Sequence, residues 1–209
     1  MAVIIAFTNE RRLTDPSIAL EHRNDIRREQ TLSRRHLRVI ATLACTFSIA
    51  AAFHAQGGQA PLSPPETATV SLRGKTITIH YGAPSMRGRK IMGEVVPYDK
   101  VWRTGANTAT SFVTEANLRI GSASVPAGSY TLYTLPGPSN WMLIINKQTG
   151  QWGTEYNQDQ DLVRIPMKIA TLSSPQEKMS ISFENTKGNT TELHIRWENT
   201  SASVPITAQ

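Results

Sequence analysis

Three cations stand close together where residues 87–90 read Arg-Gly-Arg-Lys. The planar guanidinium of Arg89 can bind a carboxylate or a phosphate through two parallel hydrogen bonds. Gly88 has no side chain and would let such an anion approach the backbone. Two plainer alternatives stay open: the segment is a solvated basic loop, or Arg89 pairs with Glu94 or Asp99 and holds the loop closed. The sequence favours these plainer alternatives.

A second group combines an aromatic face, a cation and an amide in Trp102, Arg103 and Asn107. Side chains of these kinds line clefts that bind polar ligands. Alternatively, Trp102 anchors the segment on a sheet while the other two hydrogen-bond to the backbone.

Trp152 and Tyr156 form a further aromatic pair. If these two rings face Trp102, we expect them to stack against a sugar. Otherwise we expect each ring to fill part of the core.

Signatures of known catalytic sites are missing from the chain. His80 and His194 are the two histidines after residue 55, and either could join a metal site with Glu184 or Glu192. No motif such as H-E-x-x-H surrounds them, so we expect hydrogen-bonded surface histidines. The sequence also lacks G-x-S-x-G, a phosphate-binding glycine loop and a dinucleotide fingerprint. Nothing selects a catalytic pair among the eleven acidic residues after residue 55. We therefore expect no cofactor and no metal, and we assign no catalytic residue.

The elements that must position these side chains are predicted to be strands. Apolar and polar residues alternate along most of the chain after residue 65, which is typical of strands with one buried face. In residues 75–81, for example, Ile77, Ile79 and Tyr81 share one face. Pro166 lies within one alternating stretch and predicts an edge strand there. The predicted strands are residues 70–72, 75–81, 109–115, 118–120, 123–125, 129–135, 141–146, 163–169, 179–183 and 193–197.

This pattern predicts an all-β fold. Because Gly and Pro turns separate the strands and no window has a helical period, we expect a single antiparallel β-sandwich, or a flattened barrel, of about ten strands over residues 66–207. One irregular stretch, residues 82–108, exceeds the roughly 12–15 residues beyond which a connection without secondary structure is uncommon. Long connections are often functional, so we expect a ligand site between it and a second loop, residues 147–157.

The N-terminal part has the layout of an export signal. Residues 39–53 form an uncharged apolar run after a basic cluster, and small residues follow, as in a signal peptide. We assign residues 34–55 to the signal peptide, 1–33 to a disordered extension or to sequence upstream of the true start, and 56–65 to a flexible linker. The protein is then periplasmic or extracellular, with no stable membrane span after cleavage. General secretory and twin-arginine export both stay open.

Charge and cysteine content limit the possible binding partners and disulfide bonds of the β domain. The formal net charge is +6, but residues 1–55 hold eight arginines against five acidic residues. The remaining chain carries about +3, from 14 basic and 11 acidic residues. We therefore expect no nucleic-acid partner. The single cysteine, Cys45, lies in the predicted leader, so the β domain has no internal disulfide. The oligomeric state does not follow from the sequence.

The irregular stretch resembles one known family. The residues that carry the likeness are Gly82, Pro84, Gly88, Arg89, Ile91, Gly93, Val96-Pro97-Tyr98, Val101-Trp102-Arg103-Thr104-Gly105-Ala106-Asn107, Pro126-Ala127-Gly128, Tyr130-Thr131-Leu132, Asn146-Lys147, Trp152-Gly153 and Tyr156. The family is a bacterial family of exported proteins catalogued as domain of unknown function 2911, and the likeness covers about residues 62–205. It implies a fold and a location, and no activity. Many members are similar in having a basic residue in place of Ala83 and an acidic one in place of Thr108, which weakens the case for an enzyme here.

These observations favour an exported β-sandwich module that binds a small polar or anionic ligand such as a glycan. Two alternatives stay open: an envelope hydrolase with unidentified acidic catalytic residues, and a structural or protein-interaction domain without a ligand site. The expected ligand contacts are Arg89, Trp102, Arg103, Asn107, Trp152 and Tyr156.

Overall fold

The computed structural model describes residues 61–209. The predicted extension over residues 1–33, the predicted signal peptide over residues 34–55 and residues 56–60 of the predicted linker lie outside the described residues. Within the described part, no helix is long and apolar enough to cross a membrane.

Strands make up nearly all of the regular structure between residues 61 and 209, with one short 3₁₀ turn at Gln158–Gln160. The strands are β1 (Pro65–Leu72), β2 (Lys75–Gly82), β3 (Ala106–Thr114), β4 (Leu118–Ile120), β5 (Ala123–Val125), β6 (Gly128–Pro136), β7 (Trp141–Asn146), β8 (Asp161–Lys187) and β9 (Thr190–Ala208). The prediction of an all-β fold is confirmed.

The nine strands form one antiparallel sheet in the order β1-β2-β3-β6-β7-β8-β9-β4-β5. Its two edges are β1 and β5, so the sheet does not close, and the flattened barrel was the wrong alternative. The sheet bends over a single core instead. This is seen where Tyr81 on β2 accepts a hydrogen bond at its hydroxyl from the backbone N–H of Ile181 on β8, at 3.0 Å.

Strand β8 runs for 27 residues and changes partner along its length. Its first part, up to Met167, pairs with β7, and the ladder to β9 begins at Lys168. Two of the ten predicted strands are thus one strand. Ser173-Ser174-Pro175, which resemble a turn, fall instead in a register shift between Thr171 and Gln176. A bulge absorbs the extra residues without ending the strand.

Pro166 lies in the part of β8 that pairs with β7 alone, opposite Met142. Proline has no N–H to give to a second ladder, and none is required before the β9 pairing starts. The predicted edge character therefore holds locally, although β8 as a whole lies inside the sheet.

The core follows the alternation read from the sequence. Ile77 and Ile79 of β2 are fully buried, as are Phe112 of β3, Leu132 of β6 and Leu193 of β9. Their neighbours along each strand point to the opposite face, because successive side chains of a strand alternate. The sheet therefore has an apolar inner face, and its outer face is polar over β2, whereas on β6 the residues on either side of Leu132, Thr131 and Tyr133, are buried as well.

The irregular connection between β2 and β3 is fastened to the sheet at several points. The backbone N–H of Met86 donates to Glu177 O, and the Glu198 carboxylate accepts from the N–H groups of Ile91 and Met92 at 3.2 and 3.0 Å. Further on, Trp102 and Thr134 exchange two backbone hydrogen bonds, at 2.8 and 2.9 Å. The connection is long but its backbone groups find partners, as a covered loop requires.

Candidate functional site

A groove of about 740 Å³ lies on the outer face of β1, β2, β3 and β6. Three segments border it: residues 61–63, residues 106–109 at the start of β3, and residues 149–151. The volume falls within the roughly 300–1,000 Å³ that is usual for small-molecule sites. This groove is the concave surface to which we assign a candidate site.

Four polar side chains cross the floor of the groove, one from each strand. Thr67, His80, Ser111 and Thr131 are successive cross-strand partners in the antiparallel register, and all four line the groove. We call them the polar row. Thr67 Oγ1 and His80 Nδ1 lie 2.9 Å apart, in hydrogen-bonding contact. The row therefore offers hydroxyl and imidazole groups at the strand spacing of about 4.8 Å.

Gln151 closes one end of the groove and is only 7 % exposed. Its Nε2 donates to Thr131 Oγ1 at 3.2 Å and to the hydroxyl of Tyr133 at 2.9 Å. Burial raises the pKa of Tyr133, so this hydroxyl stays neutral. Gln151 Oε1 is buried without a hydrogen-bond partner among residues 61–209. Such a carbonyl is an unused acceptor, and leaving it unpaired costs about 1–3 kcal/mol.

The walls of the groove carry little charge. Glu66 is the one carboxylate among its lining residues, and no lysine or arginine of residues 61–209 lines it. Lys178 pairs with Glu66, which also accepts a hydrogen bond from the Tyr81 hydroxyl at 3.0 Å. Burial and the neighbouring Glu66 raise the pKa of Tyr81 to about 12. The groove therefore presents mainly neutral hydrogen-bonding groups.

Arg89 is occupied by the backbone of its own loop. Its Nε donates to Met86 O at 2.9 Å, and its Nη2 donates to Ser85 O at 2.8 Å. The ion pair in this segment joins Lys90 to Glu94, at 3.7 Å, so Arg89 uses neither of the acidic partners considered for it. Arg89 does not line the groove.

Trp102 packs between two other tryptophans. Its ring stacks on Trp197 with centroids 5.9 Å apart, and it meets Trp141 edge to face at 6.4 Å. It is thus an anchor that fastens the irregular connection to the core, the second of the two roles considered for it, and it does not line the groove.

The two loops expected to flank a ligand pack against each other. Thr108 and Trp152 form an isolated β-bridge, and the N–H of Gly153 donates to Asn107 O at 3.2 Å. Asn107 and Thr108 line the groove, whereas Arg103 and Trp152 do not. Trp152 is 52 % exposed. Of the predicted contacts, Asn107 alone lies on the groove, and its Nδ2 donates to Ser63 O at 3.4 Å.

Tyr156 belongs to a separate polar cluster at the start of β8. Its hydroxyl donates to Asp161 Oδ2 at 2.6 Å and accepts from Arg164 Nη2 at 2.7 Å, while its ring meets Tyr133 edge to face at 5.0 Å. Burial and Asp161 raise the pKa of Tyr156 to about 12. Tyr156 therefore does not face Trp102, which stacks on Trp197, so the condition set for stacking against a sugar is not met.

His194 lies in a charged cluster on the outer face of the β8-β9 hairpin. Its Nε2 is 3.2 Å from Glu192 and 3.8 Å from Glu184. Hydrogen bonds from Arg196 hold the pKa of Glu184 at about 2. Burial acts to raise the pKa of Glu192, but hydrogen bonds from Asn185 and His194 outweigh it and the pKa is lowered. The carboxylates are thus ionised and paired, which leaves them few free lone pairs for a metal.

The described residues contain no group of three or more His, Cys, Asp or Glu side chains that could hold a metal ion. His80 and His194, the histidines weighed as ligands, instead contact Thr67 and Glu192 respectively.

The sequence interpretation missed the polar row. His80 was placed on the polar face of its strand, but Thr67, Ser111 and Thr131 were not connected to it. The available signal was the repeated occurrence of Ser and Thr at outward positions of neighbouring strands. It could be used only with the strand order, which the sequence does not state.

The protein-family model for a protein of unknown function, DUF2911, matches residues 63–206. No curated protein and no solved structure matches the chain. The matched range contains the polar row, the irregular connection and the whole of the sheet apart from the last residues of β9. Since this match covers well over half of the chain, the protein belongs to the DUF2911 family.

Proposed function

We propose that the protein is exported and that it binds a glycan in the groove on the outer face of β1, β2, β3 and β6. The main support for glycan binding is the polar row, which lies on the floor of a groove of about 740 Å³ with nearly uncharged walls. The export half is supported by the signal-peptide layout of residues 34–55.

The chemistry of the groove fits a polyhydroxyl ligand. The hydroxyl of Ser111 and the imidazole of His80 can each donate or accept a hydrogen bond, as sugar hydroxyls do. The hydroxyl of Thr131 is buried and already donates to Gln148 O at 2.7 Å, so it shapes the floor instead of offering a free group. The row runs across four strands, a length of about 15 Å at the strand spacing of about 4.8 Å. It would therefore contact two or three sugar rings of an oligosaccharide.

The lining residues favour this ligand over a small anion held within the groove. Cations that would bind a phosphate or carboxylate directly are not among the lining side chains of residues 61–209, and Glu66 would repel one. The groove itself thus favours hydrogen bonding to neutral groups.

A hydrolase would need two carboxylates facing each other across the bound sugar, about 5–9.5 Å apart. Glu66 is the one acidic residue lining the groove within the described part of the chain, and it is already paired with Lys178. No specific observation therefore favours hydrolysis in this groove.

Blocking the groove should abolish glycan binding. Ser111 lies in the middle of the polar row, on the outer face, so Ser111→Trp fills the floor without entering the core. We expect at least about tenfold weaker binding of any oligosaccharide that the wild-type protein binds, measured by isothermal titration calorimetry over a panel of neutral and acidic oligosaccharides.

The matched control is Ser124→Trp, an exposed strand position on β5 that does not line the groove. It should bind as the wild type does. If the wild-type protein binds no member of the panel, or if Ser111→Trp binds as tightly as Ser124→Trp, the groove is not a glycan site.

Export is tested by fractionating cells that produce the full chain. We expect the protein in the periplasm or the medium, with an intact mass that lacks the residues up to about Ala52 or Ala55, where small residues provide a cleavage site. Full-length protein that stays in the cytoplasm would contradict the proposal.

A further inference from the structure

Arg103 is held in a fixed position by its neighbours on both sides. Trp102 is clamped by its two backbone hydrogen bonds to Thr134. Thr104 is fully buried, its hydroxyl meets that of Thr134 at 3.0 Å, and its carbonyl accepts from Thr110 Oγ1 at 2.9 Å. A side chain that leaves so rigid a backbone is largely preorganised, which reduces the entropy lost on binding.

The guanidinium of Arg103 is partly desolvated and has no counter-ion in the described part of the chain. Arg103 and Arg196 are the two arginines between residues 61 and 209 that are not exposed. Arg196 makes a bidentate pair with Glu184. Arg103 Nε, in contrast, is buried without a hydrogen-bond partner. A partly buried charge without a counter-ion is unfavourable, and an external anion that reached the terminal nitrogens of this guanidinium would supply one.

Gly153 packs directly against the side chain of Arg103 and fixes its position. A Cβ on Gly153 would lie 2.0 Å from Arg103 Cδ and 2.5 Å from Asn107 O, so only glycine fits at this position. Gly153 thus allows the 147–157 loop to pack over the aliphatic part of Arg103. Arg103 Nε is buried in this way, whereas neither terminal nitrogen is among the buried atoms that lack a partner, and the residue as a whole is half-buried.

The Arg103 site lies beside the groove. Asn107, whose carbonyl accepts from Gly153, lines the groove, and so does Gln151, two residues before Gly153. A ligand lying in the groove could therefore extend past Asn107 and place an acidic substituent against the guanidinium.

We infer that Arg103 binds a carboxylate or phosphate oxyanion, and that this oxyanion is carried by the glycan bound in the groove. The second half rests on the proposed function. Guanidinium groups bind both oxyanions strongly, because their N–H groups match the oxygen spacing. The ligand class is then an acidic oligosaccharide, neutral along the polar row and anionic at the Arg103 end.

The Arg103 Nε–H resonance is the readout of choice, since it reports on the guanidinium alone. It can be assigned through the Arg103 backbone in ¹⁵N-labelled full-chain protein and followed during titration with sodium glucuronate, phosphate, acetate or glucose. We expect a saturable shift with glucuronate, phosphate or acetate, and none with glucose or with sodium chloride at equal ionic strength.

Two variants strengthen the test. Arg103→Lys keeps the charge but loses the planar fork, and it should weaken glucuronate binding about tenfold, measured by isothermal titration calorimetry because the Nε–H resonance is lost with the arginine. Arg119→Lys changes an exposed arginine on β4 in the same way and should leave the titration unchanged. The wild-type titration decides the matter even if Arg103→Lys does not fold.

The outcomes distinguish an oxyanion carried by a sugar from a free oxyanion such as phosphate or acetate. Tighter binding of glucuronate than of phosphate and acetate indicates a sugar acid, and equal binding indicates a general oxyanion site, which supports only the first half of the inference. A shift that never saturates, or that chloride produces equally, overturns the inference.

Failure here can be distinguished from failure of the proposed function. If Ser111→Trp abolishes oligosaccharide binding while Arg103 shows no saturable shift, the groove binds a glycan and the inference is wrong. If Arg103 binds oxyanions while no oligosaccharide binds, the proposed function is wrong.

Discussion

Replacing Trp102 by alanine is expected to destabilise the protein by about 3 kcal/mol. The change removes a ring that stacks on Trp197 and meets Trp141 edge to face, and it leaves a cavity in the core contact of the irregular connection. Trp-to-Ala changes at buried sites cost about 3–5 kcal/mol, and the partial exposure of Trp102 places it at the low end. Urea unfolding followed by far-ultraviolet circular dichroism measures the effect without relying on tryptophan fluorescence.

Trp152→Ala is the matched control for this variant. Trp152 is 52 % exposed and has no aromatic partner within the described residues, so its replacement should change the unfolding free energy by no more than about 0.5 kcal/mol. Equal destabilisation by the two changes would mean that Trp102 is not the anchor of the connection.

Replacing Gly82 by alanine is expected to cost about 2 kcal/mol. A Cβ on Gly82 would lie 2.4 Å from the carbonyl oxygen of Ala106, its ladder partner on β3. The obstacle is backbone on a paired strand, so relief requires the two strands to separate just where the irregular connection leaves and rejoins the sheet. Overpacking of this kind typically costs about 1–3 kcal/mol. The midpoint and slope of urea unfolding give the value.

Gly74→Ala separates this steric effect from backbone strain. Gly74 lies in the β1-β2 turn with φ +75°, and a Cβ there would meet nothing within 4 Å. Its replacement should cost about 1 kcal/mol, from the left-handed conformation alone. Should Gly82→Ala prove no more destabilising than Gly74→Ala, the close approach to Ala106 does not govern stability.

Most of the strands could be predicted because a buried face imposes a period of two. Ile77, Ile79 and Tyr81 alternate with polar residues in the sequence and lie in the core. The one wrong division, within β8, has a physical reason. Ser173-Ser174-Pro175 is a combination that favours turns, but pairing with β9 on both sides of it keeps the chain extended through a bulge.

The candidate site was harder to predict because it depends on which strands are neighbours. Ser111 and Thr131 are adjacent only because β3 pairs with β6, while β4 and β5 lie at the far edge of the sheet beside β9. Local sequence does not encode that order. The residue types instead favoured a site on the loops. There, Arg89 hydrogen-bonds to the backbone of its own loop and Trp102 stacks on Trp197, so neither side chain faces the groove.

Strand β8 also determines how the fold comes apart. Its first seven residues are held by β7 and the following stretch by β9, so the same continuous backbone is a structural member of both halves of the sheet. Loss of β8 would leave β7 and β9 each without one of its two neighbouring strands. We therefore expect the hydrogen bonds of the two halves to be lost together, so that the described domain unfolds in a single cooperative transition.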